Sequence, residues 1–477
     1  MEFAYNVHHF ERLPPTGRSI PLDPLFIIPS PDAARNRSLL AKEGKVTNSN
    51  PHRVVVVGAG FAGLAAVRSI PDTNEFQVTV VDKRNHHLFQ ALLYQVASAG
   101  LNPSEIASPV RSIFRDRKNV RVLMAEMTGL DADNSRALFD NGETVLEYDS
   151  LVLAVGGRTS YFGNDHWAHY SFALKSIEEA LAIRKRVLLA FEEAEKTSDL
   201  ERRKRLMTVV VIGGGPTGVE LSGAFAELRS HVLRWDFRSI NPEDARIVLV
   251  EGSPRLLGVF PEELSRAALG DLGKLGVEVH TGERVTDIRE GAVVTQERTI
   301  EAHTVVWAGG ISGHPLSASL PCEVNRRGQV VVDQNMCVPG TSIYCLGDMA
   351  EFREYPEAEP LPAMAPVAMQ QGAHCGRNIV KKARNEPPEP FRYTDPGIMA
   401  TVGRTRGVAL LNGRTYQGTR GWLMWLWHHL LRIVDFQNRV MVTARWGWAY
   451  LAWKWGVRLV YGRLPESASD STGENPK

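Results

Sequence analysis

Arg53-Val-Val-Val-Val-Gly-Ala-Gly-Phe-Ala-Gly-Leu-Ala-Ala-Val67 decides the fold. Four valines in a row read as a buried strand, Gly58, Gly60 and Gly63 follow at once in G-x-G-x-x-G spacing, and an alanine- and leucine-rich run suited to a helix comes directly after. The glycines alone are weak evidence. Their place between a strand and a helix start gives them meaning, because a helix N-terminus presents unpaired N–H groups and bare glycine backbone lets a pyrophosphate approach them. The next strand, Gln77 to Asp82, ends in a carboxylate about 20 residues past the last glycine, where it can accept hydrogen bonds from ribose hydroxyls. The unit is expected to bind a dinucleotide.

The pattern recurs in Thr208-Val-Val-Val-Ile-Gly-Gly-Gly-Pro-Thr-Gly-Val-Glu-Leu221, with Gly213, Gly215 and Gly218 leading into a helix expected to run to about Ile240. The following strand, Ala245 to Glu251, again ends in an acid. Two such units predict two dinucleotides and an α/β fold with two Rossmann-like domains. A carboxylate at Glu251 repels a ribose 2′-phosphate and favours NADH over NADPH, an effect that nearby Arg255 weakens. Tyr148 to Gly157 and Thr304 to Gly310 are each a strand breaking into small residues, one closing each half; they read as chain crossing back against a bound cofactor, or as ordinary strand ends. Thr341 to Asp348 is a short strand ending in Gly-Asp, suited to setting a carboxylate on a ribityl hydroxyl.

The rest of the chain narrows the choice of function. At 477 residues, 43% hydrophobic and 23% charged, it has room for two or three soluble domain cores. A net charge of +1 without a basic run argues against nucleic acid as a partner. Cys322, Cys337, Cys345 and Cys375 form no C-x-x-C pair and no cluster with histidine, which fits a reducing compartment and gives no support for a metal site. His86-His87 and His428-His429 lack i, i+4 partners, so packing or surface roles are expected of them. Residues 1–50 read as an arm without a fold, and their one apolar burst, Pro24 to Pro29, is too short for a signal-peptide core. An FAD domain is expected over 51–168 and 312–388, split around an NADH domain over 169–311; a C-terminal segment, 389–477, follows the proline-rich Asn385 to Pro390.

That last segment holds most of the tryptophans. Gly421 to Val434 and Arg439 to Tyr461 read as two apolar helices joined by Asp435-Phe-Gln-Asn438. On the second, Trp446, Tyr450, Trp453, Val457 and Val460 line one stripe, widened by Trp448, Trp455 and Leu459, with Lys454 and Arg458 as a basic strip. No apolar run reaches the roughly 20 residues needed to span a bilayer, so the helices are expected to lie in a membrane surface. A tryptophan-rich dimer interface is the alternative, and both hold if paired subunits share one patch.

The residues resemble those of the two-dinucleotide-binding-domain flavoproteins and, within them, the type II NADH:quinone oxidoreductases, from about Arg53 to Tyr461. The specific likeness lies in Asn85 to Gly100, in Gly215-Pro-Thr-Gly-Val-Glu-Leu221, in Ala365-Pro-Val-Ala-Met-Gln-Gln-Gly372 and in Asp435 to Tyr450. The resemblance implies tight, non-covalent FAD held by Gly58, Gly60, Phe61, Ala62, Gly63, Asp82, Lys83, Ala154, Gly156, Asp348 and Ala368. It implies NADH as substrate along Gly213, Gly215, Pro216, Thr217, Gly218, Glu220, Glu251, Ala308, Gly309 and Gly310, and a quinone near Gln370 and Gln371. Ala365-Pro366 stands where many members have Ala-Gln, and Ala91 where a proline is common. A homodimer on the cytoplasmic, or organelle-matrix-like, face of a membrane is the implied setting.

Glu220 and Gln370 are the expected catalytic side chains. Glu220, placed on the first turn of its helix, would bond the nicotinamide amide or relay a proton to reduced quinone, or serve only as a helix-dipole carboxylate. Gln370 would donate its amide to a quinone carbonyl, or face solvent as a plain helix residue. Competing readings are a disulfide reductase or a sulfide:quinone oxidoreductase, both of which need flavin-flanking cysteines, and an NADH-binding redox sensor or scaffold without turnover. No cysteine precedes Cys322.

Overall fold

The computed structural model describes residues 50–434, 436–452 and 457–460. The arm over 1–49, and the expected stripe members Trp453, Lys454 and Trp455, lie outside the described residues.

Two parallel sheets organise the molecule. In the first, β1 (His52–Val57) leads through α1 (Phe61–Ser69) to β2 (Phe76–Asp82), and the sheet is completed by β3 (Val120–Met124), β4 (Ser150–Leu153) and the late strand β9 (Ile343–Cys345) in the order β9-β4-β1-β2-β3. In the second, after the long helix α2 (Ile177–Lys196), β5 (Thr208–Ile212) leads through α3 (Pro216–Glu227) to β6 (Arg246–Glu251), joined by β7 (Val277–Thr281) and β8 (Thr304–Trp307) in the order β7-β6-β5-β8. All these pairings are parallel, and β1 and β5 each sit between two neighbours. That explains their unbroken valine runs: a strand covered on both faces needs no polar alternation. In both halves a three-stranded antiparallel meander precedes the returning strand, at 127–147 before β4 and at 285–301 before β8.

α4 (Ala365–Ala383) lies along α1. Gly372 and Gly376 make this possible, since a Cβ on them would stand 2.1 Å from the Ala62 carbonyl oxygen and 2.4 Å from that of Ala66. A three-stranded antiparallel sheet follows, β10 (Ile398–Val402), β11 (Arg406–Leu411) and β12 (Arg414–Gln417), then helices α5 (Gly418–Arg432) and α6 (Phe436–Ala452). The sequence reading had only helices in this segment. α6 also takes in Phe436 to Asn438, read as the joint between helices, and its described part stops at Ala452, short of Tyr461. Trp425, Ile433, Val442 and Trp446 belong to the same buried cluster as Val219, Phe225 and Val187 of the second unit.

Candidate active site

Each glycine turn is closed by its own half of the chain. Gly58 has φ +102°, and a Cβ there would lie 2.3 Å from the Ala154 carbonyl oxygen; a Cβ on Gly63 would lie 1.9 Å from the Gly58 carbonyl oxygen. Both positions are therefore restricted to glycine by close backbone approach, as a dinucleotide turn requires. Asp82 ties the turn down: Oδ2 accepts the Ala59 N–H and Oδ1 the Arg84 N–H, each at 2.7 Å. His87 completes the support, its buried ring Nδ1 lying 2.9 Å from the Ala59 carbonyl oxygen. Burial holds that imidazole near a pKa of about 4, and so uncharged. The sequence reading allowed the His86-His87 pair a packing or surface role; His87 has the packing one.

The turn, the Gly-Asp strand end and α4 come together as expected. Gly347 has φ +66° and lies against Ala62 and Ala368, and a Cβ on Gly157 would stand 3.1 Å from that of Asp348. The Asp348 carboxyl is pushed up by burial and pulled down by Lys175, whose Nζ is 4.0 Å away. Gln371 is wholly enclosed, and its Oε1 accepts the Gly347 N–H at 2.7 Å. It fixes Asp348's loop in place of reaching a quinone. Lys83, expected at the cofactor, pairs at the surface with Glu126.

The second turn repeats the first. Gly213 has φ +110°, and a Cβ on it would be 2.6 Å from the Ala308 carbonyl oxygen; a Cβ on Gly218 would be 1.8 Å from that of Gly213. Glu251 accepts from Gly214 N–H at 2.5 Å and from Ser253 N–H at 2.6 Å, as Asp82 does for its own turn. Arg255 turns away, donating to the carbonyls of Phe260 and Gly258, so it does not blunt the Glu251 charge as the sequence reading allowed. Gly310 is hemmed by the Phe162 ring and Gly309 by Trp307. Pro216 and Thr217 begin α3, leaving its first turn free of acids.

Glu220 is the fifth residue of α3, in the second turn and not the first, so it is not a helix-dipole carboxylate at the N-terminus. It faces the C-terminal segment. Oε1 accepts the Thr401 N–H at 3.3 Å and the Trp425 indole N–H at 3.0 Å. Desolvation dominates and raises its pKa to about 8, against the pull of those two donors. The carboxyl borders a cavity of about 30 Å³ that it shares with Glu227, Arg404 and the rings of Tyr94, Trp422 and Trp446. Trp446 donates its indole N–H to Gln95 Oε1 at 2.9 Å. Neither Thr401, Trp425 nor Gln95 was singled out from the sequence, since no local spacing joins them to Glu220.

Residues 52–372 match the pyridine nucleotide-disulphide oxidoreductase family. The type II NADH:quinone oxidoreductase Ndh of Mycobacterium tuberculosis is 37% identical over 420 residues, 85% of this chain and 89% of its own length. A second protein of that organism, the type II NADH:quinone oxidoreductase NdhA, is 35% identical over 87% of this chain and 91% of its own. The chain belongs to the type II NADH:quinone oxidoreductases. Among solved structures, NDH2 of Plasmodium falciparum in complex with NADH superposes with a TM-score of 0.78 at 19% identity, covering 84% of this chain and 98% of that one. The sulfide:quinone oxidoreductase of Aquifex aeolicus gives 0.63 at 17% identity over 82% and 94% of the two chains, a likeness of fold.

In this type II oxidoreductase chain all four cysteines are free thiols. Burial raises the Cys345 and Cys375 thiols well above their ordinary range, the opposite of what thiolate chemistry needs. Gln370 has a partner the sequence did not announce: its Nε2 donates to the Thr394 carbonyl at 2.7 Å and its Oε1 accepts the Thr394 N–H at 3.0 Å. Both ends of the amide clamp the Thr394 backbone, and the second N–H of the half-buried amide is left for another acceptor. The tryptophan stripe is also corrected. Trp446 and Val457 are buried against the protein, and Arg458 pairs with Asp236, so these residues do not form a lipid-facing strip. Trp448, Leu459 and Val460 are exposed as expected.

Proposed function

We propose how this type II NADH:quinone oxidoreductase divides its work among residues. FAD, when bound, takes a hydride from NADH and passes electrons on to a quinone. The turn and the start of α1 fit its pyrophosphate, because close backbone packing at Gly58 and Gly63 holds the turn while bare Gly60 leaves the uncapped α1 N-terminus open, and Asp82 and Asp348 would flank the ribose and ribityl ends. Gly213 to Gly218 and Glu251 give NADH an equivalent seat, with Glu251 placing a negative charge where a 2′-phosphate would lie. Glu220 holds a proton at neutral pH. Its neutral acid can release that proton as charge develops on a quinone oxygen, and the N–H groups of Thr401 and Trp425 stabilise the carboxylate left behind. Gln370 acts at one remove, holding Thr394. The observation that carries this reading is a buried acid with two carboxylate donors on the helix springing from the second glycine turn.

Anaerobic titration tests it. NADH should bleach the bound flavin, and a short-chain quinone should restore the colour with uptake of protons. Reduced flavin that quinone leaves reduced would overturn the reading and favour a sensor without turnover.

We further propose that the outer face of α5 and α6 rests on a membrane. Among the described residues no helix is long and apolar enough to cross one. Leu423, Trp427 and Leu431 stand every fourth residue along α5 and are 50%, 63% and 44% exposed, and Val440, Met441 and Trp448 extend the apolar face onto α6. Arg420 borders a hollow otherwise lined by Tyr416, Leu423, Met424 and Trp427, a mixture suited to the headgroup boundary. A quinone dissolved in lipid and NADH dissolved in water need an enzyme placed between them. Combining Leu423→Glu, Trp427→Glu and Trp448→Glu should release the flavin-loaded protein from anionic liposomes in a flotation assay. A variant that floats like the parent, or that only changes from dimer to monomer, would refute membrane docking.

A further inference from the structure

Glu220 is not the only acid facing its cavity. Seven residues on, Glu227 returns to the same side of α3, with Ala224 between them on that face, and both carboxyl-bearing residues line the same cavity. Glu227 is 7% exposed. Its Oε1 accepts the Arg404 N–H at 2.6 Å, and the Arg404 guanidinium Nε stands 3.7 Å from Oε2. Close packing fixes this arrangement, since a Cβ on Gly403 would lie 2.7 Å from Glu227 Oε1 and one on Gly223 2.8 Å from the Gly403 nitrogen.

We propose that Glu227 is a second proton-holding group for quinone reduction, resupplying Glu220 through water in the cavity they share. This rests on the role given to Glu220. In the transfer, the O–H bond at Glu227 breaks, a bridging water passes a proton on, and an O–H bond forms at the Glu220 carboxylate. Glu227 then takes a proton from bulk water. The cavity's roughly 30 Å³ has room for water, and among its largely apolar walls Glu220, Glu227, Thr401 and Arg404 supply polar partners.

Beyond Glu227 the helix itself ends at solvent. α3 passes directly into a π-helical turn, Leu228–Val232, a distortion that leaves His231 exposed one turn beyond Glu227, with its ring bonded to the Glu227 backbone carbonyl. The lipid-side helices offer only indoles to the cavity, from Trp422, Trp425 and Trp446. The proton would thus come from water at the C-terminal end of α3 while the quinone comes from lipid. The titratable and charged groups around Glu227 are Glu220 and His231 along its own helix and the π-turn, Arg404 from the β10–β11 turn, and Tyr94 across the cavity. On the neighbouring helix Glu262–Lys274, Asp271 is paired with Lys274 and Arg406. Burial pushes Glu227 up to about 7 and Arg404 pulls it down, so it can both hold and yield a proton near neutrality.

Stopped-flow measurement of the two half-reactions in the full-length, flavin-loaded protein tests this. Glu227→Gln should slow reoxidation by a short-chain quinone about tenfold at pH 8.5, recover toward the parent rate at pH 6 where bulk protons substitute, and leave reduction by NADH within about twofold. Reoxidation at the parent rate across that range would overturn the proposal, as would equal slowing of both half-reactions with loss of FAD, the mark of a packing role. Should Glu227→Gln not fold, Arg404→Gln decides: removing the cation should move the alkaline limb of reoxidation upward by about half a pH unit or more, and an unmoved limb overturns the proposal. Glu220→Gln separates the two ideas. If it reoxidises at full rate, the Glu220 role fails; if it is slow while Glu227→Gln is normal, only the present inference fails.

Discussion

The two strand-turn-helix units are close to copies in backbone and unlike in what their helices carry. Gly58 and Gly213 share a positive φ, each turn is pinned by the acid ending the next strand, and each is roofed by an alanine carbonyl from the returning strand. α1 then runs acid-free and is pressed onto α4 through Gly372 and Gly376. α3 instead carries Glu220 and Glu227 into a cavity walled by the C-terminal sheet and helices. In the proposed reading the shared part binds a dinucleotide and the part that differs handles protons. A duplicated cradle has been given chemistry by what packs on the outside of its helix.

The sharpest way to break this comparison is to damage one cradle at a time. Gly63→Val should yield protein without flavin, whereas Gly218→Val should stay yellow and lose reduction by NADH by more than about 100-fold, because its Cβ strikes only its own turn. Loss of FAD in both, seen in the visible spectrum, would mean the units do not work separately.

Next in size is the acid that only α3 carries. Glu220→Gln should slow reoxidation by quinone about 100-fold while reduction by NADH stays within about twofold. It should also change stability with a definite sign. The folded-state pKa of about 8 lies above the ordinary 4.5, so the folded protein binds the extra proton, and stability falls as pH rises between those values. Thermal melts at pH 5 and pH 9 should therefore differ less in Glu220→Gln than in the parent.

A smaller effect is expected where the two acids at the strand ends differ in task. Glu251→Gln should raise kcat/KM for NADPH relative to NADH by about tenfold through lost repulsion of the 2′-phosphate. An unchanged ratio would leave Glu251 only its bonds to the Gly214 and Ser253 N–H groups. Smallest of all is Trp425→Phe, which keeps the ring and deletes one donor to the Glu220 carboxylate. Because that bond favours the charged form, the midpoint of the pH dependence of reoxidation should rise by about half a unit.

Both cradles were legible in the sequence because their logic is local: strand, glycines, helix and acid sit within about 30 residues of one another. Glu220 was found by its place in the motif, but its surroundings were not, since Thr401 is 181 residues away and Trp425 is 205. The tie from Gln370 to Thr394 was hidden for a similar reason. Thr394 lies across a turn whose path no periodicity announces. The antiparallel sheet had a readable signal in Asn412-Gly413, a two-residue hairpin pair flanked by strands, with both residues at positive φ. Trp446 shows a deeper limit. A helix apolar on both sides gives the same pattern whether a face meets lipid or protein, and burial alone tells Trp446 from Trp448.

That two-sidedness of α5 and α6 bears on how a water-soluble form of the enzyme should be engineered. Deleting the helices would strip Trp425 from Glu220 and Trp446 from Gln95, opening the cavity to bulk water along with part of the core beneath the second unit. Truncating either buried indole to alanine alone costs about 3–5 kcal/mol. If the outer face rests on lipid as proposed, a detergent-free preparation would keep the scaffold and replace only the outward apolar side chains.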